Sequence, residues 1–138
     1  MRHLLLFCLL LLSFTALAER KVNLAGLEVH YNVFNASYLQ KNIAEAAGIM
    51  HSSQQAVVNI TVLKGGTPTA VTIKGELRDL LGKKTALAFR ENHYQGGVYY
   101  LAQFPIFQRE ILRFFIELQE TGGAVQRFDF TQEIFPGV

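Results

Sequence analysis

Cysteine, tryptophan and proline are scarce in this chain of 138 residues, which contains one cysteine, no tryptophan and three prolines. The single cysteine, Cys8, lies in an apolar stretch near the amino terminus, so the rest of the chain has no thiol for a disulfide or a nucleophile. The 13 Lys and Arg nearly balance the 11 Asp and Glu, and the basic residues stand singly or in pairs, such as Lys83 and Lys84, without a long run of one charge. This composition lacks the basic surface typical of nucleic-acid-binding proteins, and we expect no nucleic-acid partner.

Residues 1–18 have the pattern of a secretory signal peptide. Arg2 and His3 form a basic start, residues 4–12 are all apolar, and 16–18 read Ala-Leu-Ala, which offers small side chains to a signal peptidase. The apolar stretch is shorter than the roughly 20 residues that a membrane-spanning helix needs. We therefore expect export with cleavage after residue 18, leaving residues 19–138 as a single domain without a membrane segment.

Alternating apolar and polar residues predict strands along the mature chain. Between 27 and 33, for example, every second residue is apolar, as expected of a half-buried strand. The pattern predicts seven strands, at 27–33, 55–63, 69–77, 85–94, 98–107, 111–118 and 125–135. Apolar residues at helical spacing over 38–47 predict one short helix after the first strand. The order favours a mainly β fold, an antiparallel immunoglobulin-like β-sandwich, with a closed barrel as the alternative.

Glycines between the strands predict two hairpins. One is expected around Gly65-Gly66, joining 55–63 to 69–77, and the other around 95–97, which reads Gln-Gly-Gly. Gly75 interrupts a strand and predicts a bulge or a bend there. Pro105 cannot donate a ladder hydrogen bond, so its strand is expected to end close to that residue or to lie at an edge.

Five segments of the chain resemble a family of short exported bacterial proteins, domain of unknown function 4426. The segments read LEVHYNVFN, VNITVL, DLLGK, AFRE and VYYLAQF, at 27–35, 58–63, 79–83, 88–91 and 98–104. They span nearly the whole mature chain. The resemblance implies a Gram-negative periplasmic protein with a signal peptide and one β-rich domain. It implies no activity, cofactor or substrate.

The glycine-rich turn at 95–97 is flanked by polar and aromatic residues that could form a binding surface. They are Arg90, Glu91, His93, Tyr94 and Tyr99. Exposed turns bearing tyrosines are common recognition surfaces, so we predict a polar binding patch at this hairpin. The simpler alternative is that the polar side chains only reach solvent at the rim of the sandwich.

Two further features concern the outer faces of the predicted sheets. Asn59 and Thr61 share one face of an apolar strand, and if the helix covers that face the amide needs hydrogen-bond partners, which predicts a structural role. Phe115 and Ile111 are expected on an outer face as an apolar stripe. We expect the helix to cover this stripe.

No catalytic or metal-binding motif is present in the mature chain. His30, His51 and His93 are far apart, so we expect no metal and no cofactor. Ser52 and Ser53 lack the Gly-X-Ser-X-Gly elbow of many hydrolases. The sequence therefore favours a non-catalytic binding or accessory module for an envelope protein or peptide. The alternative is a small-ligand carrier or an enzyme with a site assembled around 90–99, and the oligomeric state is left open.

Overall fold

The protein, described here as a computed structural model over residues 20–137, consists of two antiparallel β-sheets that pack face to face. The predicted leader, residues 1–18, lies outside the described residues. In chain order the elements are β1 (Lys21–Leu24), β2 (Leu27–Asn35), a 3-10 helix (Ala36–Tyr38), α1 (Lys41–Ala47), β3 (Gln55–Lys64), β4 (Thr67–Pro68), β5 (Thr72–Arg78), β6 (Lys84–Leu87), β7 (Arg90–Tyr94), β8 (Gly97–Pro105), β9 (Glu110–Gln119) and β10 (Gln126–Ile134).

The first sheet has the strand order β1-β2-β3-β8-β7, with the short β4 paired to the end of β3, and the second has the order β10-β9-β5-β6. Within the described residues, the two sheets remain separate, which confirms the sandwich and not the closed barrel. Ten strands are present where seven were predicted, because β1 and β4 add two and the stretch 85–94 forms two strands instead of one. The more specific immunoglobulin-like comparison stays a prediction.

The core lies between the sheets and is built from alternate residues of each strand. Ile60 and Val62 of β3 are fully buried. In β9, Phe114 is also fully buried and Ile116 is 1% exposed. The rings of Phe114 and Phe130 stack with their centroids 4.9 Å apart, an aromatic contact across neighbouring strands. The period-two pattern of the sequence thus corresponds to burial on one face of each sheet.

The glycine pair Gly65-Gly66 turns the chain but does not join two long strands, so the predicted hairpin of 55–63 with 69–77 is wrong. After the turn only Thr67 and Pro68 pair with β3. The chain then crosses to the second sheet, where β5 pairs with β6 and β9. During the crossing the Val71 N–H donates to the Tyr100 hydroxyl at 2.8 Å and not to a ladder carbonyl.

The predicted strand at 85–94 is divided by Ala88 and Phe89, which carry the chain from β6 in the second sheet to β7 in the first. Phe89 packs over Gly75, where an added Cβ would lie 2.9 Å from both Phe89 Cε2 and Ile116 Cδ1. Gly75 is therefore required for close packing. The predicted bulge is wrong, because Gly75 pairs in register with both neighbouring strands.

The hairpin of β7 and β8 is confirmed. Gln95 and Gly96 form its two-residue loop, with φ of +48° and +78°. Two successive positive φ angles match the type I′ turn, whose twist suits antiparallel strands. The next strand, β8, ends at Pro105, as its missing N–H predicts.

Asn35 ties three distant segments together at one end of the sandwich. Its side chain is 4% exposed, and its Nδ2 donates to the carbonyls of Ser53 at 2.8 Å and Phe135 at 3.3 Å. Its Oδ1 accepts from the Ser37 N–H at 3.0 Å and from the Ser37 hydroxyl at 2.6 Å. The amide thus caps the 3-10 helix that precedes α1, so the predicted helix over 38–47 begins only at Lys41.

Candidate binding groove

A groove of about 460 Å³ runs between α1 and the β7–β8 hairpin on the outer face of the first sheet. The helix is anchored by Ala44, which is fully buried, and by Ile49 just beyond it, and both belong to a cluster with Val57 of β3. None of the described segments covers the part of this face between the helix and the hairpin. Leu39, Ile43, Ala46 and Ala47 from the helical side and Leu101 from β8 make the lining largely apolar.

The second wall of the groove is the β7–β8 hairpin. Opposite residues in an antiparallel pair share a face, and Asn92 lies opposite Tyr99, so both side chains face the groove. The ring of Tyr99 lies against Gly97, where an added Cβ would be 2.8 Å from Tyr99 Cε2. Tyr94, at the tip, is 53% exposed and borders the same groove. The hairpin therefore gives the groove two aromatic rings and an amide.

Asn59 lies within the groove lining, in the centre of β3. Its Oδ1 is buried and has no hydrogen-bond partner. A buried acceptor without a partner costs about 1–3 kcal/mol. The hydrogen bonds expected for a structural role are thus not formed by this oxygen, whereas Thr61, two residues along, is half-buried opposite His30. This oxygen has almost no accessible surface, so a ligand's N–H or O–H group would bond it only if the Asn59 side chain turned toward the groove.

Glu91 and His93 belong to the opposite face of β7. Glu91 Oε1 accepts from the Tyr100 hydroxyl at 2.9 Å, and Glu91 Oε2 lies 3.1 Å from His93 Nε2. These bonds, from His93 first and then from Tyr100, hold the pKa of Glu91 below its ordinary value. Burial raises the pKa of the Tyr100 hydroxyl, which stays protonated and donates. The carboxylate is therefore a fixed anion at the rim and does not face the groove.

Arg90 lies beside the end of α1 on the groove side of β7. A Cβ added at Gly48, the residue that ends the helix, would lie 2.5 Å from Arg90 Nη1. The Arg90 side chain forms no ion pair with any other residue of the described range. β7 thus divides the predicted patch: Arg90, Tyr94 and Tyr99 belong to the groove face, and Glu91 and the His93 imidazole to the other.

The strand β7 is also an edge of the first sheet, with β8 as its partner. A two-residue loop closes with a hydrogen-bonded pair, here Tyr94 with Gly97, so the pairs alternate from that point. The main-chain N–H and C=O groups of Glu91 and His93 consequently point away from β8. A row of unpaired backbone groups therefore runs beside the groove.

The family model DUF4426, a domain of unknown function, matches residues 21–137. The chain belongs to the DUF4426 family. A solved relative, a DUF4426 family protein from Pseudomonas aeruginosa, is 43% identical and superposes with a TM-score of 0.82, covering 87% of this chain and 97% of that chain. No curated protein matches the sequence. The resemblance that the five segments predicted is confirmed.

Two structures of FetP from uropathogenic Escherichia coli share the fold of this DUF4426 chain at low identity. A copper-bound FetP variant is 13% identical with a TM-score of 0.59, over 88% of this chain and 97% of that chain. The as-isolated FetP is 14% identical with a TM-score of 0.55, over 88% and 94%. In the DUF4426 chain, residues 20–137 contain no group of three or more His, Cys, Asp or Glu placed to hold a metal.

Sequence reasoning located the hairpin wall of the DUF4426 groove and missed the helical wall. The apolar positions Leu39, Ile43, Ala46 and Ala47 predict a helix face, but their spacing does not show that this face lines an open groove. Asn92 was missed as well. The alternation of side chains along a strand could have indicated it: Asn92 and Tyr94 are two residues apart and share a face, whereas Glu91 and His93 lie on the other face.

Within residues 20–137, no helix combines the length and apolarity needed to cross a bilayer.

Proposed function

We propose that this DUF4426 protein is a non-catalytic binding module of the periplasm that holds an extended segment of another envelope protein along β7. The observation that carries the proposal is the position of an unpaired sheet edge directly beside an apolar groove. The leader pattern of residues 1–18 supports the periplasmic setting. Cell fractionation tests that setting, and retention of the chain in the cytoplasm would contradict it.

Main-chain pairing supplies the first half of the proposed interaction. The outward N–H and C=O groups of Glu91 and His93 accept an added antiparallel or parallel strand without requiring a particular sequence. β7 is five residues long, so the added strand is short. Binding through the backbone alone would be weak and unselective.

The groove supplies the second half. In an added strand every second side chain lies on the same face as Asn92 and Tyr94, and that face opens on the groove. An apolar or aromatic side chain at such a position can cover Tyr94 and Tyr99, while Asn92 offers an amide at the margin. The preferred partner is therefore an extended segment with an apolar residue at alternate positions.

The decisive experiment combines a photo-crosslinker with an edge-blocking substitution. Tyr94 is replaced by p-benzoylphenylalanine, and crosslinked products are collected from intact cells. His93→Pro removes one outward N–H while sparing the bonds to β8, and edge strands tolerate proline at such positions. His93→Ala is the matched control, because it removes the same imidazole and keeps the N–H. We expect a discrete crosslinked protein that His93→Pro abolishes and His93→Ala retains.

A second crosslinking position controls for collisions. Lys74 lies exposed on β5, in the other sheet. Products formed equally from positions 74 and 94, or products that persist in His93→Pro, would refute strand addition at β7.

A small ligand is the second candidate, and the unpaired Asn59 Oδ1 favours it. This atom lies two strands inside the sheet from β7, beyond the reach of most side chains of an added strand. The groove volume is within the range of ordinary ligand pockets. Native mass spectrometry of the protein purified from its own periplasm distinguishes the two: a bound small molecule that Ala46→Trp displaces would support a carrier and contradict peptide binding.

A further inference from the structure

The free edge at β7 has a sequence that is complementary to itself. The strand reads Arg-Glu-Asn-His-Tyr from Arg90 to Tyr94. When two copies run antiparallel about Asn92, Glu91 falls opposite the His93 imidazole of the other copy. In the same register, the cation Arg90 falls opposite the ring of Tyr94. A second copy of the chain therefore offers this edge a matching side chain at each of these positions.

The direction of the main-chain groups permits this register. The N–H and C=O groups of Glu91 and His93 point away from β8 and form no hydrogen bond with another residue of 20–137. In an antiparallel pair, two residues exchange both hydrogen bonds only if the groups of each point toward the other strand. Pairing Glu91 with His93 meets this condition on both sides of the two-fold axis, and it uses every outward group of the two strands.

Charge selects this register among the neighbouring ones. A shift by two residues in one direction places Glu91 opposite Glu91 of the second copy, and like charges directly opposite each other destabilise a sheet. The reverse shift places His93 opposite His93 and leaves Arg90 beyond the end of the other strand. Only the register centred on Asn92 pairs all five residues of each strand without opposing like charges.

The side chains that would meet are accessible in a single copy. The Glu91 side chain is 42% exposed and the His93 imidazole is 67% exposed, although the two already contact each other at 3.1 Å. In a pair of copies, each carboxylate would therefore lie between two imidazoles. On the groove face, Arg90 has no ion pair within the described range, and the Tyr94 ring opposite it is exposed. A guanidinium over such a ring gains a cation–π contact.

We propose that two copies of the chain pair their β7 strands and form a two-fold symmetric dimer when no other strand occupies this edge. The pairing joins the two first sheets into one continuous sheet. It sets the two grooves side by side, since opposite residues of an antiparallel pair share a face. The dimer is independent of the function proposed above, whereas its effect on a partner rests on that function. Because the second copy uses the same main-chain groups, a partner's strand must displace it.

The small size of the contact makes such displacement possible. β7 is five residues long, and a contact limited to two strands of this length is at the lower end of protein interfaces, where association is transient. A transient dimer protects the exposed edge from unspecific pairing. It still dissociates in favour of a segment that also fills the groove.

A single cysteine at the centre of the strand tests the pairing. Residues 19–138 contain no cysteine, so Asn92→Cys introduces one thiol per mature chain. At the two-fold axis, the two Cα atoms of residue 92 would lie about 4.5 Å apart, which a disulfide spans. Tyr94→Cys is the matched control, because it is on the same face but about 14 Å from its own copy. We expect Asn92→Cys to oxidise to a linked dimer about tenfold faster than this more exposed control.

Sedimentation velocity of the unsubstituted mature chain, residues 19–138, measures the dimer without a crosslink. We expect a dimer that forms as the concentration rises. His93→Pro is expected to raise its dissociation constant about tenfold, because each copy loses one main-chain hydrogen bond. His93→Ala keeps that bond and is expected to dimerise more readily than His93→Pro, and circular dichroism checks that both variants are folded.

Two results would overturn the dimer: a chain that stays monomeric up to millimolar concentration, or equal oxidation of Asn92→Cys and Tyr94→Cys. Neither result contradicts strand addition by another protein, which the crosslinks from position 94 detect by the mass of their product. Conversely, crosslinks from position 94 that join only two copies of this chain would support the dimer and contradict the proposed function.

Discussion

The outer faces of the two sheets are completed in different ways. On the first sheet, α1 covers Val57 and leaves an apolar groove with an unpaired amide oxygen at Asn59. On the second sheet no helix of residues 20–137 packs over the outer face. Phe115 is instead covered by the guanidinium groups of Arg78 and Arg113, whose Cζ atoms lie 4.1 Å and 4.9 Å from the ring centroid. On the second sheet, long cationic side chains thus cover the apolar surface of the outer face. On the first sheet, the corresponding face stays partly open.

The second face is also neutralised by ion pairs. Arg78 pairs with Glu76 at 2.9 Å, and Arg113 pairs with Asp129 at 2.8 Å. Glu76 and Asp129, the two carboxylates directly opposite Phe115 in the neighbouring strands, are thus both paired with arginines. Our expectation that the helix covers Phe115 is therefore wrong, because arginines from β5 and β9 cover it. A completed face and an open one in the same domain are the reason for placing the proposed binding site on the first sheet.

The largest effect is expected beneath the helix. Ile49→Ala removes a side chain that is 6% exposed and anchors α1 to the first sheet. We expect the free energy of unfolding to fall by about 2–4 kcal/mol, as for other buried aliphatic truncations. Urea denaturation measures this loss. A loss no larger than that of Phe115→Ala would mean that the helix contributes little to the first face.

On the second face, Phe115→Ala is expected to cost less, about 1–2 kcal/mol, because the ring is half-buried under flexible side chains that can repack. Phe115→Leu serves as the control that keeps apolar volume and removes the cation–π contact. The leucine variant should retain most of the stability if area matters more than the ring's quadrupole. Equal losses in both variants would assign the effect to the arginine contacts.

Asn59→Leu is expected to act in the opposite direction. It replaces an unpaired buried acceptor by an apolar side chain of similar size, so we expect the ligand-free protein to gain about 1 kcal/mol. Thermal unfolding detects the gain, and Asn32→Leu, a substitution at the exposed residue opposite in the ladder, is the control. A destabilised Asn59→Leu variant would indicate that the amide has a structural role after all.

The smallest expected effect is on the pH dependence of stability in acid. The hydrogen bond from Arg78 holds the pKa of Glu76 below its ordinary value, so the folded state favours the ionised carboxylate. Its contribution is therefore present at neutral pH and is lost as the pH falls from about 4.3 through the lower pKa of the folded state. Glu76→Gln should flatten this part of the curve of urea midpoint against pH. If the urea midpoint of Glu76→Gln falls with acid as steeply as that of the unsubstituted chain, the pair of Glu76 and Arg78 does not stabilise the second face.

The sequence predicted those turns whose geometry depends only on the residues of the turn itself. The hairpin at Gln95-Gly96 was found because two positive φ angles are needed there and glycine supplies one of them. The crossing at Ala88-Phe89 was missed because neither residue is a turn former, and the change of sheet depends on Phe89 finding space above Gly75. Gly65-Gly66 marked a turn correctly, yet the sequence could not show whether the returning strand stays in its sheet.

For the groove, strand alternation predicted the aromatic hairpin wall but could not assign Arg90 and Glu91 to definite faces. That assignment depends on the pairing of β7 with β8. The unpaired state of Asn59 Oδ1 could not be predicted either, because it depends on how far α1 extends over the sheet.

The buried amide of Asn35 has a practical consequence for production of the protein. Asn35-Ala36-Ser37 is an acceptor triplet for N-linked glycosylation, and in a eukaryotic secretory host the sugar is attached through Nδ2. In the folded protein that nitrogen donates to the carbonyls of Ser53 and Phe135. A glycan added during translocation would therefore be incompatible with the native contacts, so a bacterial host is the appropriate source of folded material.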